Sequence, residues 1–171
     1  MAEELQATQY LTFVLDSEVF AVDVARVREI LEYTAVTKVP KTRNYMHGVI
    51  NLRGSVVPVV DMRVLFGLPE TDTTVNTCII VMEVTAEGSS LIMGALADSV
   101  REVMELDPGQ IEPAPKVGSR VKTDFISGMG KQGNEFIMIL DIDRMLPDEA
   151  TSSLAEMGGM ATSMGEAELM A

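Results

Sequence analysis

A gapless internal repeat is the feature that most constrains how this sequence can fold. Shifting the 171-residue chain by 80 positions places YMHGVINLRGSVVPVVDMRVLFG over FISGMGKQGNEFIMILDIDRMLP. Gly48 then meets Gly128, and Asp61 meets Asp141, with no gap between them. A repeated unit of about 65 to 70 residues indicates two small lobes built to the same plan.

A second match lies upstream of each copy. The segment VDVARVREILE resembles ALADSVREVME, so that the VRE at Val27 and the VRE at Val100 occupy equivalent places. A proline, Pro40 or Pro115, follows each match in the same order. The repeat therefore extends beyond one hairpin.

Most of the chain consists of short apolar runs separated by turn residues, among them YLTFVL, VFAVDV, CIIVMEV and EFIMILDI. Runs of this length predict a mainly β fold of short strands. DVARVREILE has apolar residues at both helical and strand spacing, and we expect a helical turn leading into a strand. MRVLFGL, closed by Gly67 and Pro69, predicts a short helix after Asp61.

The charge and composition disfavour several classes of function. The net charge is −13, which disfavours nucleic acid and anionic lipid as partners because both require basic residues. The acidic start is unlike a signal peptide. No apolar run reaches the ~18 residues of a membrane span. We therefore expect a cytoplasmic protein with no nucleic-acid partner and no direct membrane insertion.

Candidate catalytic and cofactor sites are few. The chain has one histidine, His47, so a histidine-based triad or metal cluster cannot be built. GMGKQG matches the dinucleotide pattern G-x-G-x-x-G but runs into a strand rather than a helix, so we expect no cofactor. Asp61 and Asp141 could form the shared carboxylate pair of a hydrolase. Each also ends a strand before a short helix, and we interpret both as helix caps.

The two copies differ in the turn between their apolar runs. The first turn reads NLRGS and the second GKQGNE. Arg53 in the first stands at the rim of an apolar surface, where its planar group of donors can pair with a carboxylate of a binding partner. The alternative is a turn arginine that is merely solvated.

These segments resemble the CheW family of bacterial chemotaxis coupling proteins. FAVDVARVREILEYTAVTKVPKT, MHGVINLRGSVVPVVDMRVLFGL, QIEPAP and FISGMG carry the resemblance. It implies a mainly β fold of two intertwined five-stranded SH3-like β-barrels with a few short helices. It also implies a non-enzymatic adaptor between the tips of methyl-accepting receptors and the regulatory domain of the histidine kinase CheA, recruited to membrane-bound receptor arrays.

The family's partner-binding segments can be transferred residue by residue. They match Val27, Glu29 and Ile30 in VREI, and Asn51, Leu52, Arg53 and Gly54 in the NLRG turn. We expect Glu29 and Arg53 to pair when no partner is bound. For the second turn, which contains Gln132, we expect a role in packing or in a different contact.

The resemblance also predicts the domain boundaries. We expect a disordered start over 1–7, a CheW-like domain over 8–147, and a flexible Met- and Gly-rich tail or frayed helix over 148–171. Within the domain, lobe 1 is expected over about 18–85, and lobe 2 over about 86–147 plus the first strand, 9–16. A coupler in another chemosensory circuit, such as pilus motility, is the main alternative function, and a two-carboxylate hydrolase is a remote one.

Overall fold

The computed structural model describes residues 8–34, 36–40, 44–69, 72–86, 89–113 and 125–145. The expected disordered start and the expected tail lie outside these residues. In chain order the elements are β1 (Thr8–Leu15), β2 (Glu18–Asp23), a 3-10 turn (Val24–Arg26), β3 (Val27–Glu32), β4 (Met46–Leu52), β5 (Ser55–Asp61), α1 (Met62–Leu65), β6 (Cys78–Ala86), β7 (Ser89–Ala97), β8 (Ser99–Leu106), a 3-10 turn (Pro108–Gln110), β9 (Ile111–Glu112), β10 (Ile126–Gln132), β11 (Glu135–Leu140) and α2 (Ile142–Met145).

The strands form two sheets with the same plan. One has the order β3-β6-β7-β5-β4 and the other β8-β1-β2-β11-β10-β9. In the first sheet the hairpin of β6 and β7 lies between the edge strand β3 and the hairpin of β4 and β5, and β5 pairs with β7 in parallel. In the second sheet the hairpin of β1 and β2 lies between the edge strand β8 and the hairpin of β10 and β11, and β11 pairs with β2 in parallel. The two-residue β9 has its counterpart in the bridge between Thr37 and Val49. The repeat and the predicted mainly β, two-lobe plan are therefore confirmed, with five strands in one sheet and six in the other because the short β9 is assigned as a strand.

The boundaries of the lobes differ from those expected. Lobe 1, from here on, is the sheet of β3 to β7, and lobe 2 is the sheet of β1, β2 and β8 to β11. The expected boundaries placed β2 in lobe 1 and β7 in lobe 2, which is wrong in both cases. Each of these strands stays with its antiparallel hairpin partner, β1 or β6. β1, which covers most of the first strand expected in lobe 2, pairs with β8 in the second half of the chain.

Equivalent backbone contacts recur in the two lobes. The N–H of Asp61 donates to the carbonyl of Tyr45 at 2.7 Å, and the N–H of Asp141 donates to that of Phe125 at 2.8 Å. These four residues are the ones that align at an offset of 80. The similarity of the copies is therefore structural and not a product of strand composition alone.

The aligned glycines lie where another segment crosses β4 or β10. A Cβ on Gly48 would lie 2.3 Å from the carbonyl oxygen of Thr37, and one on Gly128 would lie 2.8 Å from the Cγ2 of Ile111. At Gly48 a side chain would require the backbone of Thr37 to move, and at Gly128 it would require the side chain of Ile111 to shift. The close crossing explains why glycine occurs at both positions.

The main hydrophobic core is shared by the lobes. Phe13, Phe20, Phe66 and Phe125 belong to one buried cluster. Phe66 of lobe 1 stacks on Phe125, which precedes β10 of lobe 2, with ring centroids 4.3 Å apart. Two smaller clusters fill the individual barrels. Because the largest cluster takes residues from both lobes, the lobes are intertwined parts of one folding unit.

The predicted helical segments are confirmed. The turn at 24–26 leads into β3, and α1 occupies 62–65. The carboxylate of Asp61 accepts the N–H of Arg63 at 3.0 Å, and that of Asp141 accepts the N–H of Asp143 at 3.1 Å. Both aspartates therefore cap the short helices that follow them, as interpreted from the sequence.

Candidate partner-binding surfaces

The VREI strand and the NLRG turn come together at one end of lobe 1. β3 and β4 are opposite edges of the lobe 1 sheet. Even so, Arg53, in the turn after β4, donates to Glu29 on β3 at 2.7 and 3.3 Å through its two terminal nitrogens. A bidentate contact between opposite edges requires the sheet to curl into a barrel. The expected pairing of Glu29 with Arg53 is present.

The NLRG turn has a backbone shape that holds Arg53 outward. Arg53 has φ of 51° and Gly54 has φ of 87°. The side chain of Asn51 accepts the N–H of Gly54 at 2.8 Å, which closes the turn. Two consecutive residues in the left-handed region match the strand twist of a tight hairpin. The arginine is thus placed by the turn and not by burial.

Arg53 is charged and accessible. Its side chain is 75% exposed, whereas that of Glu29 is 24% exposed. The hydrogen bond to Glu29, and then the negative charge of Glu29, raise the pKa of Arg53 above its ordinary value. A pair so exposed contributes little to stability. The Glu29–Arg53 pair can therefore open at small cost.

The remaining predicted site residues divide into two groups. Ile30 is 43% exposed, and strand alternation places it on the face of β3 opposite Glu29. Val27 and Leu52 are half-buried and pack against two hydrophobic clusters. Val27 and Leu52 hence support the surface, whereas Ile30 presents apolar area to solvent.

One residue of this surface is absent from the sequence prediction. Val56, on β5 opposite Asn51, is 37% exposed. We call Glu29, Ile30, Arg53 and Val56 together the lobe 1 surface, a name for the exposed candidate residues of this lobe and not for a single face of its sheet. A valine within SVVPVV gives no sign in the sequence of which face it occupies, since the run is apolar on both faces.

Lobe 2 also carries an exposed ion pair and two exposed apolar side chains. Arg101 on β8 donates to Glu135, at the start of β11, at 2.9 Å. Val103 is 49% exposed and Phe136 is 52% exposed. We call these four residues the lobe 2 surface. This ion pair does not occupy the positions of the Glu29–Arg53 pair, because Arg101 aligns with Arg28 and Glu135 aligns with Ser55.

The sequence alignment of the two copies pairs the exposed apolar residues of lobe 1 with those of lobe 2. An offset of 80 places Val56 over Phe136, and the VRE match places Ile30 over Val103. Among the described residues, these four are all but one of the exposed large hydrophobic side chains, the other being Val75. The four exposed apolar residues therefore occupy aligned positions in the two lobes.

Within the described residues no group of three or more potential metal ligands occurs. No helix in the described ranges is long and apolar enough to cross a membrane. Asp61 and Asp141, the candidates for a hydrolase pair, are each engaged in capping a helix.

Comparison with known proteins gives the family. Residues 9–150 match the family model of the CheW-like domain. Chemotaxis protein CheW of Klebsiella aerogenes is 32% identical over 149 residues, which are 87% of each chain. Chemotaxis protein CheW of Bacillus subtilis is 32% identical over 153 residues, which are 89% of this chain and 95% of that protein.

A solved structure agrees with these matches. The scaffolding protein TtCheW from Thermoanaerobacter tengcongensis superposes with a TM-score of 0.71 at 31% identity, covering 78% of this chain and 88% of the other. The mainly β, two-sheet fold is thus shared as well as the sequence. The chain belongs to the CheW-like family of chemotaxis coupling adaptors.

Proposed function

We propose that the protein joins the cytoplasmic tips of methyl-accepting chemoreceptors to the regulatory domain of the histidine kinase CheA. In this proposal it has no catalytic activity. It acts in the cytoplasm and is recruited to membrane-bound receptor arrays by its partners.

The presence of exposed candidate contact residues on each of two lobes that share one core carries the proposal. A bridging adaptor needs two contact regions that can be occupied together, and each lobe offers a surface ion pair and two exposed large apolar side chains. Their small apolar area suits weak individual contacts. In an array, weak contacts add up through effective concentration.

The proposed binding residues are Val27, Glu29 and Ile30 of β3 with Asn51, Leu52, Arg53 and Gly54 of the turn. Arg53 is the residue expected to dominate, because arginine is enriched among the residues that contribute most to interfaces. Its guanidinium would exchange Glu29 for a carboxylate of the partner. Val27, Leu52 and Gly54 would hold the shape of the surface.

A binding experiment with the full chain tests the proposal. Its affinity for the isolated CheA regulatory domain and for a receptor cytoplasmic fragment is measured by calorimetry, for wild type, Arg53→Ala and Arg144→Ala. Arg144 is a matched control because it is also 75% exposed and also lies in a weak ion pair, at 3.7 Å from Asp141.

The expected result is binding of both partners by wild type. Arg53→Ala should weaken at least one of them about tenfold or more, as removal of an interface arginine does. Arg144→Ala should change neither affinity. The proposal fails if wild type binds neither partner, and the assignment of Arg53 fails if both variants bind like wild type.

A further inference from the structure

Two ion pairs join the lobes at equivalent places. Arg63 on α1 donates to Asp98 at 2.8 Å through Nε and contacts its second oxygen through Nη2. Arg26 donates to Asp143 on α2 at 2.6 and 3.2 Å. We call these the α1 ion pair and the α2 ion pair. Arg63 and Asp143 are aligned by the offset of 80, so the polarity is reversed between the two.

Each pair holds the connection that enters an edge strand. Asp98 is the single residue between β7 and β8, and Arg26 ends the turn between β2 and β3. The α1 ion pair therefore fixes the start of β8, the strand of the lobe 2 surface. The α2 ion pair fixes the start of β3, the strand of the lobe 1 surface. In both cases the helix belongs to the other lobe.

A backbone N–H also donates a hydrogen bond to each of the two aspartate carboxylates. The N–H of Asp16, in the turn between β1 and β2, donates to Asp98 at 2.9 Å. The N–H of Thr85, near the end of β6, donates to Asp143 at 2.9 Å. The Arg26 guanidinium also donates to the carbonyl of Glu83 at 3.2 Å. Each cluster thus ties together a helix of one lobe and a hairpin of the other.

The two clusters differ in burial. The side chains of Arg63 and Asp98 are 12% and 26% exposed, whereas those of Arg26 and Asp143 are 35% and 33% exposed. Solvent and salt screen the more exposed pair more strongly. The start of β3 is therefore held less firmly than the start of β8.

We propose that Arg26 is a positioning residue for the lobe 1 surface: by pairing with Asp143 it fixes the start of β3 against lobe 2. Arg26 immediately precedes Val27 and is three residues from Glu29. A shift of lobe 2 relative to β3 would then move Glu29 and Ile30. This inference rests on the proposed function only in treating that surface as the binding site.

Hydrogen exchange of the full chain, followed by mass spectrometry, tests the positioning role without any partner. Asp143→Asn removes one charge and one acceptor from the α2 ion pair, and Asp98→Asn does the same to the α1 ion pair. Arg144→Gln, on the same helix as Asp143 but outside the cluster, is the control. Exchange is compared between peptides covering β3 and peptides covering β8.

Asp143→Asn should raise exchange in β3 about tenfold, since it weakens charge-assisted bonds at the start of that strand, and should leave β8 nearly unchanged. Asp98→Asn should raise exchange in β8 and leave β3 nearly unchanged. Arg144→Gln should alter neither strand. Unchanged exchange in β3, or an equal rise in β3 and β8 after Asp143→Asn, would overturn the positioning role.

A second variant covers the case in which Asp143→Asn does not fold. Arg26→Lys keeps the charge but loses the bidentate geometry. It should raise exchange in β3 selectively, by a smaller factor, and an exchange pattern like that of wild type overturns the proposal. Partner affinity is measured separately, so a failure of the proposed function would leave the exchange result interpretable.

Discussion

Replacing Asp98 by Asn tests how the lobes are joined. The carboxylate of Asp98 receives two hydrogen bonds from Arg63 and one from the backbone of Asp16. An asparagine keeps the size but has a single acceptor oxygen and no charge. Arg63, only 12% exposed, would keep the carbonyl of Pro69 at 2.6 Å and the distant carboxylate of Asp16 at 3.7 Å.

The expected cost follows from this loss. Removing one partner of a buried ion pair destabilises a protein by 3–5 kcal/mol, and the partial exposure and remaining contacts favour the low end, about 3 kcal/mol. For a domain of this size that corresponds to about 9 °C in Tm. Asp72→Asn, at an exposed position in the loop before β6, should cost less than about 0.5 kcal/mol.

The loss of unfolding free energy caused by Asp98→Asn should depend on pH. Burial alone would raise the pKa of Asp98, but the hydrogen bonds from Arg63 and the Asp16 backbone outweigh it, so the pKa lies below its ordinary value of 3.8. A carboxyl with a depressed pKa stabilises the folded state fully above its ordinary pKa. That stabilisation is lost as the pH falls through the folded pKa.

Urea unfolding of wild type and Asp98→Asn over a pH series measures both effects. The difference in unfolding free energy should be constant at about 3 kcal/mol near neutral pH and should shrink below pH 3.8. A difference that stays the same in acid, or one below about 0.5 kcal/mol at neutral pH, would refute the reasoning.

Three further substitutions test other parts of the account by urea unfolding. Gly48→Ala should destabilise the protein by about 3 kcal/mol because the new Cβ meets backbone atoms. Gly109→Ala is the control and should not destabilise it, because there is open space around Gly109. Equal effects of the two substitutions would contradict the close crossing at Gly48. Asp61→Ala should cost about 1 kcal/mol through the lost helix cap, and no loss would remove that role. Arg53→Ala should leave the stability nearly unchanged because its pair with Glu29 is exposed; a clear loss of stability would make Arg53 structural.

The local elements were predictable because their signals lie close together in the sequence. The turn before β3 and the capped helix after Asp61 depend on residues within a few positions of one another. The plan of two lobes followed from the offset of 80, which is a property of the sequence. The Glu29–Arg53 pair was expected only through the family resemblance.

The lobe boundaries could not be read correctly from these signals. β1 and β2 are joined at Asp16 and Ser17, both with positive φ, and a connection that tight keeps a hairpin intact. The expected boundary passed through this hairpin, and through the one formed by β6 and β7. The sheet that each hairpin joins, however, is determined by pairing with strands that are distant in the sequence, and local patterns do not encode this pairing.

The ion pairs between the lobes were beyond the reach of sequence reasoning. Arg26 and Asp143 are separated by 117 positions, and charged residues near strand ends are normally solvated. The repeat aligned an arginine, Arg63, with an aspartate, Asp143, and so gave no hint of a shared role. Only the folded chain shows that both act at the same kind of junction.

A reconstituted kinase reaction tests the central claim most directly. Receptor-containing membranes and CheA are assayed for receptor-controlled phosphorylation without this protein, with wild type, and with Arg53→Ala or the control Arg144→Ala. The account predicts that wild type and Arg144→Ala raise phosphorylation and make it respond to receptor ligand, whereas Arg53→Ala, though folded, does not. Phosphorylation that is the same with and without wild type would contradict the coupling function, and full activity of Arg53→Ala would contradict the role of the lobe 1 surface.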